Sequence, residues 1–396
     1  MTLLIDPPTW PSRGRLWSHL ASDESVEELH AFAAAAGIPS RAFVRDHYDV
    51  PEQHYDDLVA AGAVPVGSRD VVAALYAAGL RRRAGDALVP RRPGRPLLRP
   101  HRLHTGDRVA VVAPAGVVPA DRLDRGVAVL RGWGLEVDVK GHVLSRHPRL
   151  GHLAGSDAER AADLTAAWTD PSTRAVIAAR GGSGAHRFLD TLDWAALAAA
   201  GAKVLVGFSD VTAVHEAFAQ RLGVATVHGP VVCSLGEAPE PERVWLRDLL
   251  MDPALVSWDG SDVLVEGSAD GVLAGGNLAV LAAGLGTAVS RPATGAIVVL
   301  EEVGEEPYRL DRMLSHLRRT GWFDGVRGVA LGHFTDCGDP RQVRAVLAER
   351  LGDLAVPVLA GLHFGHQAPN LALPLGVRAR LDTATRRLVL LDPPLR

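Results

Sequence analysis

Lys203-Val-Leu-Val-Gly-Phe-Ser-Asp-Val-Thr212 decides the fold of this 396-residue chain. The unbroken apolar run at Val204, Leu205 and Val206 reads as a strand buried on both faces, and helical spacing takes over across residues 211–222. A strand entering a helix through Gly207-Phe208-Ser209-Asp210 is the repeating unit of a parallel α/β sheet. Ser209 is therefore expected on the turn at a strand's carboxyl end, beside a helix N-terminus. Such a turn exposes a hydroxyl and points free backbone N–H groups at a developing oxyanion, as in a nucleophile elbow. The same residues also suit a helix cap worth about 1 kcal/mol, since the segment is not Gly-x-Ser-x-Gly.

On either side the pattern repeats. Apolar runs at 109–112, 135–139 and 175–178 alternate with amphipathic stretches at 122–133 and 157–168, which implies a parallel sheet covered by helices. The pattern lapses between about 235 and 267, where Pro239, Pro241 and Pro253 cluster. Beyond it come a glycine-rich helix start at Gly275-Gly276-Asn277, strands at 296–300 and 328–331, helices at 308–319 and 340–351, and closing strands near 377–381 and 388–391. The fold class is α/β: a small N-terminal α/β module, a Rossmann-like or flavodoxin-like parallel-sheet domain, and a second C-terminal α/β domain. The expected divisions are 1–84, an Arg/Pro-rich solvated linker at 85–104, 105–235, a connection at 236–266, and 267–396.

In the small module a strand at 3–5, a helix capped near Ser22-Asp23 and ending at Gly37, a helix around 52–61, a strand at 63–66 and a helix at 68–78 are expected. Its polar cluster is Arg45-Asp46-His47-Tyr48-Asp49, with His19 and Asp6 elsewhere. The cluster suits a metal or acid/base site, or a loop whose side chains bind nearby backbone.

Composition narrows the function. With 42 Lys plus Arg against 46 Asp plus Glu, a net charge of -4 and 47% hydrophobic residues, the chain lacks the basic excess of a nucleic-acid or anionic-membrane binder. Two cysteines, Cys233 and Cys337, make no disulfide framework or zinc motif. No secretory signal and no apolar run long enough to span a bilayer is visible, so a cytoplasmic setting without a membrane partner is expected.

A second glycine-rich turn, Arg180-Gly181-Gly182-Ser183-Gly184, follows the run at 175–178, and its glycines permit close approach to a ligand. In an open parallel sheet both turns lie beyond the carboxyl ends of strands, where ligands bind. The Walker pattern and the dinucleotide fingerprint are absent. A hydroxyl nucleophile needs a base and an orienting acid. Glu301-Glu302 ends the buried run at 298–300, His366 lies in Gly365-His366-Gln367-Ala368-Pro369-Asn370, and His228 ends another run. Spacing does not choose between these histidines.

Arg180-Gly181-Gly182, Gly207-Phe208-Ser209-Asp210, His228-Gly229-Pro230, Gly275-Gly276-Asn277-Leu278, Leu300-Glu301-Glu302-Val303, Arg312-Met313-Leu314 and Gly365-His366 through Leu373-Pro374-Leu375-Gly376 occur in the order found in the LD-carboxypeptidase family, which residues 105–396 resemble. The resemblance implies a cytoplasmic serine peptidase with a Ser-Glu-His triad and no metal or other cofactor. Carried across by motif, Ser209 is the nucleophile, His366 the general base and Glu301 its orienting acid, with Glu302 and Glu305 as alternatives for the acid. Backbone N–H groups of Asp210 and of Gly181 or Gly182 form the oxyanion hole. Arg180 is the candidate cation for a substrate carboxylate or a structural ion-pair partner, with Ser183 and His228 as further substrate contacts.

The implied activity is release of terminal D-Ala from a muropeptide tetrapeptide in peptidoglycan recycling. The alternatives are an amidase that detoxifies peptidyl-nucleotide (microcin-like) or acyl-amino-acid conjugates, and a non-catalytic peptide-binding protein whose activity or regulation resides in the first module. A homodimer is common in the family. Ser183 departs from it, standing where many members have an aromatic residue. Residues 1–84 resemble a short bacterial and phage domain of unassigned function through Trp17-Ser18-His19-Leu20, Glu28-Leu29-His30-Ala31-Phe32-Ala33 and His47-Tyr48-Asp49; a binding or regulatory role is expected there.

Overall fold

The computed structural model describes residues 2–12, 14–44, 46–77 and 94–396. The chain divides into two units, residues 1–87 and 88–396.

The first unit is a small sheet in the order Phe43–Val44, His47–Pro51, Arg15–Ser22, Leu3–Ile5, Val64–Pro65, with Trp10–Ser12 paired onto Arg15–Ser22. Leu3–Ile5 and Val64–Pro65 run parallel; the other pairs are antiparallel. Ile5, Leu20, Leu29, Tyr48, Val50 and Leu58 fill its core. The first helix, Val26–Ala35, is capped by Ser25, whose hydroxyl accepts from the Glu28 N–H at 3.1 Å; Ser22 instead donates to the Glu28 carboxylate. The cap thus lies beyond the expected Ser22-Asp23, because Ser25 stands three residues before that N–H. Residues 47–49, open to a loop reading, are strand: Tyr48 and Val50 point inward while His47 and Asp49 share the opposite face. Arg45 and residues 85–93 of the expected linker lie outside the described residues.

From Gly94 onward the chain packs on the second unit. Leu97 donates its N–H to the Gly376 carbonyl, Leu98 bridges Val224, and Leu103 is fully buried. The apolar side chains at 97, 98 and 103 outweigh the solvating prolines and arginines around them.

The second unit holds two sheets. The first has the order Leu373–Leu375, Thr226–His228, Val204–Gly207, Thr173–Ala178, Arg108–Val112, Glu136–Val139, parallel except for Leu373–Leu375. Its parallel strands, numbered along the chain, lie 2-1-3-4-5, the flavodoxin-like arrangement, with the switch between Arg108–Val112 and Thr173–Ala178. The second sheet has eight strands, centred on Ser268–Asn277, Ala296–Val303, Gly328–Thr335 and Val358–Ala360, which are mutually parallel.

Three features depart from the sequence reading. The proline-rich lapse contains the helix Glu240–Met251, because Pro241 sits in its first turn, where no hydrogen bond is lost. It also contains the strands Ser257–Asp259 and Asp262–Val265 of the second sheet. Gly275 and Gly276 end a strand rather than start a helix. A Cβ on Gly275 would lie 2.3 Å from the Val299 carbonyl oxygen, and one on Gly276 would lie 2.5 Å from the Thr212 hydroxyl. Finally, Leu373–Leu375 crosses back to pair with Thr226–His228, which brings the preceding loop, including His366, against the first sheet.

Candidate functional site

At the switch point two loops are stitched together. The Gly116 N–H donates to the Gly181 carbonyl at 2.9 Å, and Arg180 Nη1 donates to the Val117 carbonyl at 2.5 Å. Gly181 is buried and touches Ser209 so closely that a Cβ there would lie 2.8 Å from the Ser209 Cβ and 3.1 Å from its Oγ. Gly182 takes φ 117° against Gly116, and Arg180, Gly182 and Ser183 are exposed.

Ser209 has φ 63°, in the left-handed region. A serine held there costs on the order of 1–3 kcal/mol, so its surroundings over-determine it. It opens the one-turn 3₁₀ helix Ser209–Val211, which leads into the helix Thr212–Leu222. No side chain caps either N-terminus, which removes the capping role considered for Ser209 and Asp210. The Asp210 carboxylate instead accepts the Ala185 N–H at 2.7 Å and ties the Ser209 turn to the end of the glycine loop. Burial raises its pKa above the ordinary value despite that hydrogen bond. The first N–H groups of a helical turn have no intrahelical acceptor, which leaves the Asp210 amide available to a ligand.

Across from this turn, His366 Nδ1 lies 2.6 Å from Glu301 Oε2; Glu301 is fully enclosed and the imidazole is 17% exposed. The His366 ring packs against Phe208, centroids 4.9 Å apart. The alcohol's chain neighbour thus touches the imidazole, although the two come from distant parts of the sequence. The three acidic candidates separate by contact. Glu302 accepts from Asn277 Nδ2 at 2.9 Å, the Ala279 N–H at 2.6 Å and the Val303 N–H at 2.9 Å, holding the start of the helix Leu278–Ala283. Burial raises its pKa against those bonds. Glu305 reaches Arg309 at 3.3 Å on the surface.

His228 does not reach an open cleft. It is fully buried, because Thr226–His228 has a paired strand on each side. Phe208 and Phe364 stand over its ring at 6.0 and 6.2 Å, and burial, aided by His215 and His366, keeps it well below its ordinary pKa. His215 donates from Nε2 to the Gly207 carbonyl at 2.8 Å, and its burial lowers the pKa to about 4.

Two positioning residues escaped the sequence reading. Asn370 Oδ1 accepts the Gly365 N–H at 3.0 Å, and the Asn370 N–H donates to Glu242 Oε2 at 2.9 Å, fixing the loop that carries His366. Glu242 sits on the overlooked helix Glu240–Met251, and burial raises its pKa. A buried acidic position on an amphipathic stretch was the available signal.

Two family models cover most of the second unit: one described as the LD-carboxypeptidase N-terminal domain matches residues 109–229, and one described as the LD-carboxypeptidase C-terminal domain matches 270–381. Residues 3–78 match a family described as a protein of unknown function. A putative carboxypeptidase of Streptomyces coelicolor is 52% identical over 305 residues, spanning 76% of this chain and 98% of that protein. The murein tetrapeptide carboxypeptidase of Pseudomonas aeruginosa is 36% identical, spanning 69% and 93%. The crystal structure of muramoyltetrapeptide carboxypeptidase from Oxalobacter formigenes superposes with a TM-score of 0.64 at 32% identity, spanning 72% of this chain and 99% of that one.

Proposed function

The chain belongs to the LD-carboxypeptidase family and is a serine peptidase, and from that premise we propose that its second unit releases the terminal D-Ala of a cytoplasmic muropeptide tetrapeptide through Ser209, His366 and Glu301. The observation that carries the reading is the left-handed Ser209, pressed against Gly181, with its neighbour Phe208 packed on an imidazole that Glu301 holds.

Glu301 accepts from His366 Nδ1 and so directs Nε2 at the substrate side. Ser209 Oγ attacks the scissile carbonyl carbon while His366 Nε2 takes its proton. Negative charge builds on the carbonyl oxygen, where the N–H groups of Asp210 and of Gly181 or Gly182 receive it; one such donor is worth about 10²–10³ in rate. His366 returns the proton to the leaving amine, D-Ala departs, and an acyl-serine remains. Water then attacks that ester, with His366 again taking the proton, and Ser209 is released. Arg180, exposed at the mouth of the glycine loop, binds the free carboxylate of the departing residue.

The test is mass spectrometry of muropeptides incubated with wild-type and Ser209→Ala protein. The expected result is loss of one alanine from the tetrapeptide with the wild type alone. An intact tetrapeptide with well-folded wild type, or equal cleavage by Ser209→Ala, overturns the proposal.

A further inference from the structure

The first unit contains a second cluster of chemistry-bearing side chains, unrelated to the hydrolytic residues. His19 lies opposite Asp49 in the register between Arg15–Ser22 and His47–Pro51, and His47 is two residues before Asp49 on the same face. Strand pairing therefore sets two imidazoles and a carboxylate side by side. One ligand atom from each of His19, His47 and Asp49 can be chosen so that all lie within 4.8 Å of one another, and among the described residues this is the grouping able to hold a metal ion. The His47 Nε2 to Asp49 Oδ1 separation is 3.2 Å. Tetrahedral ligands at the bond lengths usual for zinc stand about 3.3 Å apart, so this pair already has the required spacing. The Asp49 side chain is 42% exposed, which lets it adjust as the third ligand closes in.

Each imidazole has a carboxylate behind it. Asp6 Oδ2 is 3.0 Å from His19 Nδ1, and Asp46 Oδ1 is 2.7 Å from His47 Nδ1, with exposures of 1% and 8% for the two carboxylates. Asp6 also accepts the His19 N–H at 2.5 Å and the Trp10 indole N–H at 3.1 Å. A carboxylate on Nδ1 fixes the tautomer and ring orientation and makes Nε2 the more basic ligand atom, the arrangement that supports histidines bound to metals.

We propose that His19, His47 and Asp49 form a site for a divalent transition-metal ion of the zinc class, oriented by Asp6 and Asp46. Two imidazoles and one carboxylate suit such ions better than calcium or magnesium, which prefer all-oxygen shells. Three protein ligands leave a fourth position for water or an anionic group. The exposed Trp10 ring, 5.4 Å from the His19 ring, walls one side.

The test uses the full chain without an affinity tag, stripped of metal by a chelator and desalted. Cobalt(II) chloride titrated into the wild type is expected to give visible ligand-field absorption that saturates at one ion per chain, and zinc chloride is expected to abolish it. By calorimetry, His47→Ala is expected to weaken zinc binding roughly a hundredfold or more, with muropeptide cleavage unchanged. Should that variant not fold, Asp49→Asn on the more exposed side chain is expected to weaken binding in the same direction. Absence of cobalt absorption in the wild type, or zinc affinity unchanged in the variants, overturns the proposal.

Discussion

His366 and His19 each place Nδ1 against an almost fully enclosed carboxylate, at 2.6 Å for Glu301 and 3.0 Å for Asp6, yet the other side of each ring differs. Near His366 stands Phe208, whose chain neighbour is a serine in strained left-handed backbone. Beyond His19 stands a second imidazole, His47, at 5.0 Å between ring centroids, and the carboxylate of Asp49. On the proposed readings, the imidazole beside an alcohol moves protons, and the one beside another imidazole and a carboxylate offers lone pairs to a cation. The histidine–carboxylate pair sets the tautomer in both places, and the third group decides the chemistry.

The largest expected effect breaks the first pair. Glu301→Gln lets the amide present the wrong hydrogen-bonding pattern to Nδ1, and kcat is expected to fall about 10⁴-fold. Glu302→Gln, one residue on, disturbs two bonds to the helix start and one to the Val303 N–H, and is expected to cost about 1–3 kcal/mol of stability with kcat within about tenfold. Steady-state kinetics and denaturant unfolding of both variants check this. The reverse pattern would make Glu302 the orienting acid.

Gly181→Ala tests the alcohol's side of the same site. The new Cβ would press on the Ser209 Cβ at 2.8 Å while the backbone at 181 stays outside the left-handed region. A displaced nucleophile is expected to lower kcat about 10²-fold, with melting temperature changed little. Unchanged kcat would show that the loop yields and does not set the serine's place.

The parallel sheet of the second unit was legible because continuous apolar strands, as at 204–206, announce it, whereas the roles proposed for Ser209, Glu301 and His366 came from the ordered motifs of the family resemblance. The rest depends on tertiary pairing. Glu242 and Asn370 are 128 residues apart and meet only because Leu373–Leu375 returns to the first sheet. The same return strand encloses His228, so ending an apolar run does not by itself bring a residue to the cleft. In the first unit, Asp46, His47 and Asp49 were visible as a local cluster. Their alignment with His19 and Asp6 required the register of paired strands.

His215 is the control for both pairs: an imidazole buried without a carboxylate. Its pKa near 4 in the folded chain lies below the ordinary 6.5, so between those values the unfolded chain binds more protons. Its neutral form therefore contributes stability that is complete above about pH 6.5 and is lost progressively down to about pH 4, amounting to about 3 kcal/mol. His228 acts with the same sign. Asp210 and Glu242, whose pKa values burial raises, act oppositely, since acid relieves the cost of their ionisation. Urea unfolding across this range is expected to show a shallower acid loss in His215→Gln than in the wild type. Parallel profiles would place His215 in a more solvated environment.

The smallest effect separates orientation from ligation in the first unit. Asp6→Asn keeps shape and can still accept a bond from His19, but it removes the charge that makes the imidazole a stronger ligand. Zinc affinity is expected to fall roughly 10–100-fold, less than on loss of His47 itself, while the hydrolytic kcat stays at the wild-type value. Asp6 also receives the Trp10 indole and the His19 amide, so thermal unfolding of the metal-free variant measures what those bonds contribute to the fold. Weakened zinc binding with a metal-free melting temperature near the wild type assigns Asp6 to the ion. A collapse in stability with zinc affinity intact assigns it to the fold, and the likeness between Asp6–His19 and Glu301–His366 would then be one of geometry alone.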